Sequence, residues 1–154
     1  EACSCTTERT GWKPNHLVVK EAESVLVIVP LYLKTNSYGE YVFDWSWASA
    51  YESNGFQYYP KLVTVISFTP SYDKRFFFAE GIDKERQQLL VKKIFVQIKF
   101  HAAEIGASSW HILFPEEEQQ KLLLEGGLMP RSACQFHWRQ SLARNRFWNK
   151  PLNT

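Results

Sequence analysis

Between Ser37 and Lys61 the chain sets three carboxylates, Glu40, Asp44 and Glu52, and one amine, Lys61, among nine aromatic residues: Tyr38, Tyr41, Phe43, Trp45, Trp47, Tyr51, Phe56, Tyr58 and Tyr59. A carboxylate walled in by aromatic rings loses hydration, so its pKa rises and it becomes able to take a proton from an amine near neutral pH. Acyl transfer to an amine needs such a base, together with a donor that stabilises the tetrahedral oxyanion. Glu40, Asp44 and Glu52 are the candidate bases. Tyr58 and Tyr59 adjoin Lys61 in a β-rich run, where successive side chains point to opposite faces, so at most one of the two lines a given pocket.

The same window offers a second chemistry. Trp45, Trp47, Tyr51 and Tyr58 can form a stacking platform for a sugar ring, with Glu40 and Asp44 accepting bonds from its hydroxyls. Two histidines, His111 in SSWHILFP and His137 in QFHW, lie between apolar or aromatic neighbours and share a pocket if their strands are adjacent. Each residue also has a plainer role: Asp44 as a helix cap, Glu52 as a solvated charge, the tyrosines as core and the histidines as hydrogen-bonded structure. Neither a G-x-S-x-G element nor a P-loop is present, so those routes to ester cleavage and nucleotide hydrolysis have no support.

The elements that must position these residues follow from local patterning. His16–Lys20 and Val25–Lys34 read as a hairpin across the four-residue loop Glu21–Ser24, with Pro30 marking a bulge or edge late in the second strand. Asp44 precedes a short helix over Ser46–Ser53 that Asn54-Gly55 ends. Tyr58–Thr69, apolar on both faces, predicts a central strand. Asp83 caps a long helix over Lys84–Ile105, in which Val91, Phe95, Ile98, Ala102 and Ile105 form one apolar stripe. A strand over Ser109–Phe114, a helix from Pro115 through Leu124 and a strand over Ala133–Trp138 complete the order. Hairpins combined with crossovers give an α/β (α+β) fold around a mixed sheet.

A length of 154 residues suits one domain, and 45% apolar with 22% charged residues is a globular balance. The longest apolar run, Val25–Leu33, is too short to span a bilayer and contains Pro30, so no transmembrane segment is expected. The opening EACSC carries no signal-peptide pattern. Cys3, Cys5 and Cys134 are odd in number and lack paired C-x-x-C spacing, so neither a disulfide framework nor a metal site is predicted, and a reduced, cytoplasmic domain cut from a longer protein is expected. The whole chain carries +2, residues 131–154 carry +5, and residues 1–130 therefore carry −3. Five charges spread over that tail read as a solvated end, with no DNA partner expected.

The motifs PLYLKTNSYGEYVFDWSWASAYE (30–52), YYPKL (58–62), FTP (68–70), SSWHILFP (108–115) and QFHW (135–138) resemble a bacterial family of peptidoglycan biosynthesis or recognition proteins. That family is related to the Fem-type aminoacyl transferases, which carry tandem GNAT-like domains, and even GWKPNHLVV (11–19) is similar to it. The resemblance implies a GNAT-like mixed sheet and an N-acyltransferase that passes an acyl or aminoacyl group to an amine, possible acceptors being a small molecule or a peptidoglycan precursor. It also implies acyl-CoA or aminoacyl-tRNA as donor for the full-length protein. The Arg/Gln-x-x-Gly-x-Gly/Ala loop that cradles a pyrophosphate has no copy here, so no cofactor is expected in this chain.

On this resemblance residues 1–138 correspond to the first GNAT-like half, and 139–154 to a divergent basic tail that packs poorly. A missing C-terminal half is then the expected partner, the chain alone is expected to be inactive, and its bare aromatic residues near the end favour self-association. The alternative is a non-catalytic module that binds peptidoglycan or another glycan, or a half-domain that only docks its partner.

Overall fold

Residues 4–42 and 44–132 are described by a computed structural model of the chain. After a short 3-10 turn at Glu8–Thr10, the strand Trp12–Pro14 (β1) is followed by the hairpin Leu17–Glu21 (β2) and Ser24–Val29 (β3). Glu21 and Ser24 pair with each other, so the connection is the two residues Ala22-Glu23, shorter than the four-residue loop the sequence suggests. Ala22 takes a φ of 51°, which lets the chain reverse in so little space.

The expected strand Val25–Lys34 is in fact two strands in two sheets. Pro30 has no N–H to contribute, so the β3 ladder ends at Val29. The chain then re-enters as Tyr32–Lys34 (β4), which pairs antiparallel with β1 on one side and with Lys61–Thr64 (β5) on the other. Trp110–Ile112 (β7) joins β5 in parallel, giving the mixed order β1-β4-β5-β7. The short strand Phe77–Phe78 (β6) pairs with β3 and completes an antiparallel sheet of order β2-β3-β6.

β5 is central, and all four of its residues are buried. It is much shorter than Tyr58–Thr69. Pro60 interrupts pairing before it, and beyond Thr64 both neighbouring strands run out after three residues each. Phe68, at φ 56°, lies in a turn rather than a strand.

Three α-helices stand among the described residues: Trp45–Ser53 (α1), Lys84–Glu104 (α2) and Glu117–Glu125 (α3). The Asp83 carboxylate accepts from Arg86 N at 2.8 Å and starts α2 as its sequence indicates. Val91, Phe95 and Ile98 are buried against Val27, Val29, Leu62 and Phe76, with Ala102 and Ile105 at the margin. A second cluster of Trp12, Tyr32, Val63 and Val65 fills the other face of the mixed sheet. Gln119 of α3 bonds the N–H groups of Arg75 and Phe76 and the carbonyl of Phe76, which fastens the 71–78 segment to the helix. The fold is α+β. The strand expected over Ala133–Trp138, with His137 and the basic tail, lies outside the described residues.

Candidate functional site

The pairing of β4 with β5 places Lys34 opposite Lys61, and neither side chain is exposed. Buried ammonium groups must find anions or hydrogen-bond acceptors, because desolvating an unpaired charge costs several kcal/mol. The partners come from the segment that leaves β4. Lys61 Nζ donates to Glu40 Oε2 at 2.8 Å, to Ser37 Oγ at 3.0 Å and to Asp44 Oδ2. Lys34 Nζ donates to Tyr38 O at 3.0 Å and stands 3.7 Å from the centroid of the Trp12 ring, whose Nε1 donates to the same carbonyl.

The backbone must turn sharply to bring Glu40 and Asp44 over the sheet. Gly39 does this at φ 79°, and the Phe68 ring packs so closely that a Cβ there would fall 2.5 Å from it. Phe68 N donates to Gly39 O at 3.1 Å and closes the turn. Only glycine meets both demands.

Asp44 begins α1, yet its carboxylate does not cap the helix; only its carbonyl accepts from Trp47 and Ala48. The side chain points inward instead, where Tyr58 Oη donates to Oδ2 at 2.7 Å. Ser37 Oγ and Tyr59 Oη lie 2.7 Å apart, so both phenols sit on the cluster. Strand alternation does not separate the two tyrosines because both precede β5 in irregular backbone.

Burial pushes the Glu40 carboxyl up, against the opposing pull of Lys61 and Lys34. Burial also acts to raise Asp44, but hydrogen bonds from Lys61, Ser37 and Tyr58 outweigh it and hold this carboxyl below its ordinary value. The Tyr58 phenol is pushed up by burial and by its bond to Asp44, so it stays protonated. Burial draws Lys34 down to about 8, with Glu40 pulling the other way. Glu40 Oε1 and Asp44 Oδ1 are both buried with no hydrogen-bond partner among the described residues. At 1% exposure each, these carboxylates touch no solvent and offer no base to a bound amine in this conformation.

His111 pairs with Val63 across β5 and β7, which puts it on the same sheet face as Lys61. Its ring centroid lies 6.1 Å from that of Tyr58, and its Nε2 is 2.9 Å from Ser109 Oγ. Burial, with the Lys61 charge adding, draws this imidazole down to about 4, so it is neutral at physiological pH.

The structure therefore gathers Glu40, Asp44, Tyr58, Tyr59 and Lys61 into one cluster, with His111 beside it. Tyr51 is half-buried and meets Tyr58 edge-on at 5.2 Å. Trp45 and Trp47 are not part of the cluster: they are 63% and 51% exposed on α1, which buries none of its residues. Glu52 is exposed on the same helix. Sequence reasoning missed Lys34, Trp12, Ser37 and Ser109. A lysine closing an apolar run just before two acids was the available signal for Lys34.

Among the described residues no group of three or more His, Cys, Asp or Glu is placed to hold a metal ion, and no helix is long and apolar enough to cross a membrane. No curated protein and no solved structure matches the chain. Residues 1–147 match the FemAB-like family, described as peptidoglycan biosynthesis/recognition. With that match spanning nearly all of its 154 residues, the chain belongs to the FemAB-like family and its function is related to peptidoglycan.

Proposed function

We propose that this chain supplies the acceptor-binding part of a Fem-type N-acyltransferase, holding a peptidoglycan precursor whose free amine receives an acyl or aminoacyl group. The observation that carries the reading is the division of labour around Asp44. Its carboxylate is locked inside with Lys61 and Tyr58, while the helix it begins presents Trp45 and Trp47 to solvent. Exposed indoles on a helix fixed at its start are suited to stacking on sugar rings. Tyr38 and Tyr41, also exposed, extend the aromatic surface along the same segment. Because Glu40 and Asp44 are sealed, the proton-transfer step and the acyl-CoA or aminoacyl-tRNA donor fall to residues elsewhere, with a GNAT-like second half as the natural place.

Titration of this chain with soluble muropeptides, followed by tryptophan fluorescence, tests the reading. Saturable binding that Trp47→Ala weakens is expected, without turnover unless a longer homologue is supplied with donor. A chain that binds no muropeptide at millimolar concentration removes the proposal. A longer homologue that binds muropeptides yet transfers no group from either donor to any amine leaves the alternative reading, a glycan-binding module.

A further inference from the structure

α2 carries a second apolar stripe on the side away from the core. Leu89, Val96 and Phe100 are 53%, 52% and 70% exposed. At 100° per residue, the spacings i, i+7 and i+11 bring all three within about 20° of one line down the helix. Beside that line stand Lys92, Lys93 and Lys99, all exposed and without an ion pair among the described residues. From Arg86 to His101 the helix contains no acid, and Arg86 itself is occupied by Glu21 at 2.7 Å.

We infer that this face of α2 is a docking surface for an anionic lipid bilayer, on which the helix lies in the interfacial plane. A single apolar row flanked on both sides by lysines matches that environment. The side chains of Leu89, Val96 and Phe100 enter the acyl boundary, while the lysine stems lie along it and raise their ammonium groups to the headgroups. A protein partner fits less well, because protein interfaces are depleted of lysine and use arginine for their cations. The inference is independent of the glycan-binding reading, since it involves neither α1 nor the buried cluster.

Flotation of the full chain with phosphatidylcholine vesicles, alone or doped with phosphatidylglycerol, provides the test. Binding to the doped vesicles, little to the neutral ones, and release by salt are expected. Each Lys→Gln at 92, 93 or 99 should lower the partition coefficient about fivefold. Residues 131–154 also carry positive charge, so the decisive comparison is Phe100→Glu and Val96→Glu against the wild type on the same full chain. Both sites are exposed, and an unchanged thermal unfolding midpoint verifies folding. Loss of flotation in these variants supports the inference. Undiminished flotation, absence of flotation in the wild type, or a stripe whose only effect is on a monomer–dimer equilibrium in sedimentation overturns it.

Discussion

Lys34 and Lys61 are direct cross-strand partners on β4 and β5, both wholly buried, and therefore project two ammonium groups from the same face of the sheet. Like charges directly opposite one another destabilise an antiparallel pair. The pairing persists because Glu40 and Asp44 are folded back over it, which makes the 35–44 segment part of what holds these two strands together.

Lys61→Met leaves Glu40 and Asp44 facing each other without their shared cation. Breaking a buried pair in this way costs about 3–5 kcal/mol, read as a fall in the urea midpoint at constant slope. Combining it with Glu40→Gln removes one charge of each sign and should regain part of the loss. A double variant less stable than Lys61→Met alone would contradict the pairing described here.

His111 makes stability depend on pH in a definite direction. Its folded value of about 4 lies below the ordinary 6.5, so between those values the unfolded chain binds more protons and stability rises with pH. The contribution is present above pH 6.5 and is lost on acidification toward 4, with an upper bound of about 3 kcal/mol. Glu40, shifted up, slopes the opposite way, so the readout is the difference between wild type and His111→Gln across that window. Parallel pH–stability curves for the two proteins would exclude this role for His111.

Gly39→Ala places a methyl group where the Phe68 ring already sits and forces a left-handed backbone on alanine. A loss of about 2 kcal/mol is expected. Phe68→Ala relieves the steric part but not the backbone part, so the double variant should lose less than the two single losses added together. Strict additivity in denaturant unfolding would show that the close approach is not what requires glycine.

Trp45→Ala and Trp47→Ala should leave stability within about 0.5 kcal/mol, since both side chains are exposed and α1 buries nothing. Under the proposed function each substitution weakens muropeptide binding by up to about tenfold, in keeping with about 0.5–1.5 kcal/mol per aromatic contact. Isothermal titration on folded variants distinguishes this from unfolding.

The helices were readable in the sequence because their signals are local. Asp83 and the Val91–Phe95–Ile98 spacing define α2 within a few turns of chain, and the structure follows both. The cluster was only half readable. Glu40, Asp44, Tyr58, Tyr59 and Lys61 stood out by type, but Lys34 looked like an ordinary strand end. Nothing local reveals that Lys34 pairs with a residue twenty-seven positions later. Asp44 carried a sound capping signal, and the tertiary attraction of Lys61 and Tyr58 overrode it. Tyr58–Thr69 looked like one long strand because its apolar content reports burial, whereas strand length depends on how far β4 and β7 extend beside it.

The chain leaves the mixed sheet at Lys34 and returns at Lys61, directly across from its point of departure. The twenty-six residues 35–60 are thus an excursion whose two ends are fixed about 5 Å apart by the ladder itself. Such a segment is a natural cassette. It can be exchanged between homologues as one piece, α1 and its tryptophans included, without altering the strand order, provided that Lys61 travels with the two carboxylates it pairs with and Lys34 with the Tyr38 carbonyl that accepts from it.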